Sequence, residues 1–511
     1  MYRMRNFFIK KSNYIFFLIS AIAFLMLASR SSFLYVFNNW DDANSYLSVG
    51  KSLFNGKMPY RDVFDQKGMY LYFFYGLAYI ISHTTFTGVY ILEVILAFFD
   101  ILGFYKILRL YTGEKTSLIF APLTFAVTVV SKSFWWGGAA EEICLPFYVW
   151  GLYLIVRYFR EDYHEKTMPV KQVFLGGILA GIIANIKFTG LGFFFAWMMM
   201  VWFSFILRKE FAASIKACFV FLFGMFITFI PWIIYFGIQG GLYEWYWGYV
   251  YINVFLYPKT EGGSIAGLIY SLAKILYFLI LDNYQYFVFV IVGIIYAVFS
   301  KTEKFLGRLV VPVLFGFLFL GIFIGGRTLP YYSLPLSVFA VFGFAFLGSA
   351  LNMLFSKKTD SNIGEKEYGI LMFLGCAGAV LISMLFIYNT SMNTSYMKNT
   401  DESFFLFRFR DEVLEKENPT LLNVGCLDAG LYTLTDIVPS CRWFQTQTLD
   451  VPEPENNPYL EQDRYVREGL VDFVIARDSY PECIYDKYEL IDSEDYSFSG
   501  SDFKYYLFRK K

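Results

Sequence analysis

The chain is 511 residues long, 57% hydrophobic and only 17% charged, with 43 basic residues balancing 43 acidic ones. A soluble globular domain carries about 25% charge, so this composition excludes an ordinary soluble protein and points to a lipid-embedded one. Two histidines and six cysteines also exclude a histidine-rich metal centre.

The charge balance hides an asymmetry. Residues 389–511 hold 23 acids against 13 bases, whereas the preceding 388 residues hold 20 acids and 30 bases. A basic apolar body and an acidic tail are expected to face opposite sides of a membrane. No cleavable signal peptide is expected. The first apolar run, 14–37, is too long for a signal core and has no small-residue cleavage site before Asp41.

A helix needs about 20 apolar residues to cross hydrocarbon. In chain order the qualifying runs are 14–37, 88–108, 117–132, 143–159, 171–186, 188–207, 217–238, 284–300, 309–325, 332–355 and 368–388. The segments 69–82 and 264–281 are also apolar and read as short, partly embedded or interfacial helices. An α-helical polytopic membrane protein with about 11 transmembrane helices is expected on that length rule. Basic clusters precede the first run and recur at 106–115, 157–171, 208–216, 301–308 and 357–366. On an eleven-span path all of them fall on one side, which the positive-inside rule makes cytoplasmic. The N-terminus is then cytoplasmic, and loops 38–67, 133–142, 239–263 and 326–331 face outward with the tail.

The expected domains are a transmembrane domain, 1–388, carrying a functional first outward loop at 38–67, and an extracytoplasmic α/β domain, 389–511. Strand-like runs in the tail are TLLNVG, CRWFQT, VDFVIA, YELI and KYYLFRK, with helical patterns at 402–416 and 457–469. No G-x-G-x-x-G fingerprint occurs there, so no nucleotide site is expected; no nucleic-acid partner is expected either. Cys144, Cys218 and Cys376 lie in apolar runs and read as small buried side chains. Cys426, Cys441 and Cys483 lie in the polar tail, where spacing leaves one disulfide open and does not pair them.

Four outward clusters carry ionisable or aromatic groups. The first is Asp41 and Asp42 with Asn44 and Tyr46, just beyond the first run; bare carboxylates beside hydrocarbon are held in water or used for chemistry. The second is PYRDVFDQKG, with Arg61, Asp62, Asp65 and Lys67. For Asp62 a solvated pair with Arg61 competes with a functional role. The third is FWWGGAAEEICLPF, where Glu141 and Glu142 either cap the helix they precede or serve a site. The fourth is GGRTLPYYSLPL, with Arg327, Tyr331 and Tyr332; Arg327 alternatively binds lipid headgroups. Lys187 reads chiefly as a snorkelling side chain. The run GGLYEWYWGYVYINVFLY is an interfacial aromatic belt or a stacking platform for sugar or isoprenoid.

Outward carboxylates beside outward cations suit one reaction. A carboxylate accepts the proton of an acceptor hydroxyl as that oxygen attacks a glycosyl carbon. A cation stabilises the departing phosphate as charge builds on it.

The order of features is one span, an acidic pair, an amphipathic helix, Asn55-Gly56, then Lys67-Gly68 opening an apolar helix. It resembles the polytopic GT-C glycosyltransferases, in the branch of the protein O-mannosyltransferases and lipid A aminoarabinose transferases. The resemblance covers residues 1 to about 350 and implies a GT-C-like membrane domain. It implies that Asp41 is the catalytic base, beside Asp42, which replaces the usual Glu. FDQKGMYLYF resembles that family's E-K-P-P-L-x-Y-W stretch without its prolines, and implies that Lys67 holds donor phosphate. RTLPYYSLPL resembles the late-helix region lining the donor pocket, placing Arg327 with the phosphate and Tyr331 and Tyr332 with the substrate. Asp65, Glu141 and Glu142 complete the expected substrate contacts.

The implied donor is a polyprenyl-phosphate-linked sugar, transferred on the outer face to an envelope glycan, lipid or protein. No cofactor and no metal are expected, although outward carboxylates are ligands that Mg²⁺ or Mn²⁺ would accept. Two other classes compete. A flippase for a lipid-linked glycan would bury ionisable groups at mid-membrane, for which Glu93 and Asp100 are the candidates. A non-enzymatic envelope scaffold would make loop-one substitutions silent.

Overall fold

A computed structural model of the chain describes residues 2–256, 264–356, 365–400, 404–449, 451, 453–498 and 501–511. The helices of the first half are α1 (Tyr2–Ala28), α2 (Asp41–Phe54), α3 (Met69–Ile81), α4 (Thr87–Leu108), α5 (Glu114–Val129), α6 (Ala140–Arg157), α7 (Val170–Ala184) and α8 (Leu191–Leu207). They are followed by α9 (Phe211–Ile227), α10 (Ile230–Ile238), α11 (Leu242–Trp245), α12 (Ile265–Asp282), α13 (Tyr284–Val298), α14 (Phe305–Phe323), α15 (Ala340–Ser356) and α16 (Glu365–Thr390). The tail adds α17 (Phe405–Leu414), β1 (Leu421–Val424), α18 (Leu431–Thr435), α19 (Pro458–Glu468), β2 (Phe473–Arg477), α20 (Ile484–Lys487), β3 (Tyr488–Phe498) and β4 (Ser501–Lys510).

Among the described residues six helical segments are long and apolar enough to cross a membrane: Ala140–Asp162, Phe188–Leu207, Ile265–Asp282, Phe305–Phe323, Pro330–Leu354 and Ile370–Thr390. The bent pair α9 and α10, 42° apart, makes a seventh if it is one span. The chain is thus a multi-pass membrane protein, but the expected eleven are not all matched by length. Val170–Ala184 and Tyr284–Val298 are apolar yet shorter than 18 residues. The segment expected to be short, 264–281, folds instead as the 18-residue α12 and keeps most of its side chains exposed. The run 14–37 also ends early as a helix, at Ala28. Ser29, Arg30, Ser31 and Ser32 follow, and Arg30 leaves the helix to stack on the Tyr396 ring, 3.6 Å from its centroid, and donate to Asn39. Asp41 and Asp42 therefore open a new helix rather than marking the exit of the first.

Two compact units emerge from the packing. Unit 1 comprises residues 1–29, 92–230 and 260–395; unit 2 comprises 30–91, 231–259 and 396–511. In unit 1 the helices pack in pairs, α7 on α9, α8 on α14, α13 on α15 and α5 on α16. Small residues permit the closest approach: at Gly177 of α7 a side-chain Cβ would overlap the Phe221 carbonyl oxygen of α9.

Unit 2 gathers residues 30–91, a segment holding most of α10 with α11, and the tail, which forms one sheet ordered β1-β2-β4-β3. β1 and β2 are parallel, with Leu421 opposite Phe473, and β4 runs antiparallel to both β2 and β3. The apolar run CRWFQT is not a strand. It lies against β1 as irregular chain, with Asn423 N–H donating to the Phe444 carbonyl. Cys426, Cys441 and Cys483 are all free thiols, so the tail is held without a disulfide among them.

Gly177→Val is expected to cost about 1–3 kcal/mol through forced separation of α7 and α9. Gly316→Ala, in a position with no atom within 4 Å, is expected to be neutral or better. Thermal unfolding of the purified protein in one detergent checks both.

Candidate functional site

The acidic pair begins α2 because Trp40 is still extended and the helix accepts carboxylates in its first turn. One flank of α2 meets α3 and the other meets the tail. Gly50 lies so near Gly76 of α3 that a Cβ would fall 2.7 Å from its nitrogen. On the tail side Ser45 donates to Gln445 at 2.5 Å, Ser48 to Asp428 at 2.6 Å and Thr433 to Asn44 at 3.0 Å. Lys51, only 1% exposed, donates to the Tyr432 carbonyl at 2.7 Å and lies 3.8 Å from Asp436. Burial pulls Lys51 down to about 8 and pushes Asp428 up to about 6, against Ser48, the Gly430 N–H and Lys51, which draw Asp428 down.

Asp41 is not bare. Its carboxylate is bound by Arg477 at the end of β2, Nη2 to Oδ2 at 2.7 Å and Nη1 to Oδ1 at 3.2 Å. The Asp41 side chain keeps 19% of its surface open, which leaves it reachable. Burial pushes its pKa up, Arg477 pulls it down and Asp42 adds to the upward push.

The DQKG turn is clamped from three sides. Tyr72 of α3 donates to Asp65 at 2.8 Å and accepts from the Lys67 N–H at 2.8 Å. Tyr60 donates to the Lys67 carbonyl at 2.6 Å, and Asn253 to the Gln66 carbonyl at 2.7 Å. Gln447 of the tail donates to Asp65 at 3.3 Å. Burial raises Asp65, with Lys67 opposing and Asp42 reinforcing, so Asp42, Asp65 and Lys67 share one electrostatic neighbourhood. The Lys67 ammonium lies 5.9 Å from the Tyr46 ring. Asp62 instead pairs with Arg61 at 2.9 Å on the surface and accepts the Met58 N–H at 2.7 Å. For Asp62 the solvated reading is the one found.

In unit 1 the two glutamates part company. Glu142 accepts the Gly138 N–H at 2.8 Å, the capping role. Glu141, 3% exposed, instead accepts a hydrogen bond from Lys187. Lys187 does not snorkel: its ammonium sits 3.6 Å from the Tyr332 ring centroid and 5.9 Å from that of Tyr331. With Cys144, Tyr148 and Pro335 these groups line a small cavity. The second Glu141 oxygen, Oε2, is buried there and makes no hydrogen bond. Arg327 is exposed in the loop before Pro330 and does not line that cavity. Among the described residues no group of three His, Cys, Asp or Glu side chains is arranged to hold a metal.

Two residues escaped the sequence reading. Arg477 ends an apolar strand as a lone charge, VIAR, which is a visible signal with no visible partner. Lys187 was visible as a lysine in an apolar stretch, but its partner lies 46 positions away.

No family model matches the chain, and no curated protein sequence matches it. Among solved structures, ArnT from Cupriavidus metallidurans in the apo state superposes with a TM-score of 0.60 at 11% identity, covering 97% of this chain and 97% of that one. ArnT from the same organism bound to undecaprenyl phosphate gives a TM-score of 0.59 at 11% identity over 96% and 97%. The archaeal oligosaccharyltransferase AglB from Archaeoglobus fulgidus, in complex with an inhibitory peptide and a dolichol-phosphate, gives 0.47 at 12% identity over 98% and 74%. The chain shares the fold of ArnT over nearly its whole length.

Two outcomes follow from the buried charges. Lys187→Met is expected to destabilise the protein by about 3–5 kcal/mol by stranding Glu141, and Lys187→Met with Glu141→Gln to recover most of it; thermal unfolding of the three proteins reads this. Asp428 binds its proton more tightly folded than unfolded, so its contribution to stability falls as pH rises from about 4 through about 6. Asp428→Asn is expected to gain on the wild type across that interval, measured as a widening difference in unfolding temperature.

Proposed function

We propose that this chain is a membrane glycosyltransferase that moves a sugar from a polyprenyl-phosphate carrier to an acceptor hydroxyl at the outer face of the membrane. The observation that carries the reading is the ArnT fold along nearly all of the chain, with one such structure bound to undecaprenyl phosphate. In this reading Asp41 takes the proton of the acceptor hydroxyl while that oxygen bonds to the anomeric carbon. The bond from that carbon to the carrier phosphate breaks, its electron pair leaving with the phosphate, and attack from the opposite side inverts the centre. Lys67 stabilises the departing phosphate as a positioned point charge; for Arg327 the family resemblance alone suggests a role with that phosphate. Asp42 and Asp65 set the field around Lys67 and orient the acceptor. For Glu141, Glu142, Tyr331 and Tyr332 the family resemblance suggests substrate binding. The acceptor is an envelope glycan, lipid or protein, and the site faces outward with the N-terminus in the cytoplasm.

A second reading is kept by one observation. Glu93, Asp100 and Glu142 are 0%, 2% and 4% exposed inside apolar helices, as in proteins that translocate charged lipids. Ser29 donates to both Glu93 oxygens, at 2.9 and 2.8 Å, which satisfies that carboxylate locally.

With purified protein and undecaprenyl-phosphate-linked mannose and aminoarabinose as probes, Asp41→Asn is expected to lower the transfer rate about 10²–10⁴-fold without loss of folding. Wild-type turnover by Asp41→Asn removes Asp41 from the mechanism. Movement of labelled lipid across a liposome bilayer without bond transfer favours the translocation reading instead.

A further inference from the structure

The group that holds the candidate base comes from the far end of the chain. β2 lies inside the sheet, between β1 and β4, so the Arg477 backbone is fixed by its pairing with Tyr505. Its guanidinium is fixed in turn. The Phe503 ring centroid lies 4.9 Å from it, Tyr505 Oη lies 3.4 Å from Nη1, and the side chain is 14% exposed. A planar fork held in this way fits a carboxylate at both oxygens, which a lysine ammonium would not reproduce. The other side of the pair is equally fixed, because α2 is bonded to the same tail through Ser45, Ser48 and Lys51.

We infer that Arg477 is a positioning residue for the proposed transfer, orienting the Asp41 carboxylate and keeping it charged for proton abstraction. This rests on the role proposed for Asp41. The groups that act on Asp41 are known from each packed element. Asp42 comes from α2, Cys426 and Asp428 from the chain after β1, Arg477 from β2 and Tyr505 from β4. Burial and Asp42 favour the protonated acid; Arg477 opposes them. A general base works only at pH above its own pKa, so removing Arg477 moves the acidic limb of the rate profile to higher pH. At sufficiently high pH the carboxylate ionises without help and much of the rate returns. A residue that merely supported the fold would depress the rate equally at every pH.

The test uses the full-length protein in nanodiscs, as wild type, Arg477→Gln and Arg477→Lys. Two quantities are followed against pH: transfer from undecaprenyl-phosphate-linked mannose and aminoarabinose, and labelling of Asp41 by a lipophilic carbodiimide, to which the protonated carboxyl adds, its oxygen bonding to the central carbon and its proton passing to nitrogen. Arg477→Gln is expected to move both midpoints up by about 1–3 pH units. Its rate should be down more than tenfold near neutrality, and the gap should narrow at higher pH. Arg477→Lys is expected to move them less. A labelling midpoint that stays in place in either folded variant, or a loss of rate that is the same at all pH values, overturns the inference. Should Arg477→Gln fail to fold, the Arg477→Lys midpoint decides alone. The two readings fail differently: transfer unaffected by Asp41→Asn defeats the catalytic role of Asp41, whereas the labelling midpoint reports on the pair without any assay of transfer.

Discussion

A charge taken out of water must be compensated where it lies, and the pair of Asp41 and Arg477 is the clearest instance in this chain. Both groups are largely shielded, and each would be costly alone. Because the partners are separated by 436 positions, satisfying the charge also decides topology. The start of α2 must meet the end of β2, and the loop that follows α1 must be part of the same compact unit as the tail. Lys51 follows the same rule one face further along α2, where the Tyr432 carbonyl and the carboxylates of Asp428 and Asp436 receive it.

The second constraint is aromatic. Phe64 sits with its ring 4.4 Å from that of Trp443, and its N–H donates to the Arg442 carbonyl at 2.9 Å. Tyr60 and Tyr72 use their apolar bodies for packing and their hydroxyls to fix the turn that carries Lys67. A lysine on an unsupported turn would sample many directions and give up much of its electrostatic effect to motion. Here the backbone under it is bonded at Gln66 and Lys67, and the Asp65 carboxylate is held by Tyr72, so the ammonium starts from a fixed base. In unit 1 the same logic recurs in miniature, with Lys187 placed between Glu141 and the Tyr332 ring.

Local signals in the sequence were reliable where the cause is local. Apolar length gave the membrane class and most helix positions, and short apolar runs gave β1, β2, β4 and the start of β3. Helix ends were read less well. The run to residue 37 is apolar enough to continue, but Ser29 to Ser32 and the stacking of Arg30 on Tyr396 end it at Ala28. CRWFQT has strand composition, yet Trp443 is spent on Phe64 and Arg442 on the Tyr60 carbonyl. Glu141 and Glu142 are neighbours of the same type, and only their surroundings separate a cap from an ion-paired group lining a cavity.

The sequence by itself determined that this is an integral membrane protein with an acidic α/β tail, and it singled out Asp41, Asp42, Asp65 and Lys67. Those features depend on hydropathy, charge and short-range order, which are written residue by residue. Tertiary structure alone decided that Asp41 is held by Arg477 and Glu141 by Lys187, and that the first loop and the tail are one body. Pairings across 436 and 46 positions leave no periodic trace, because the energy that selects them comes from burying two opposite charges together.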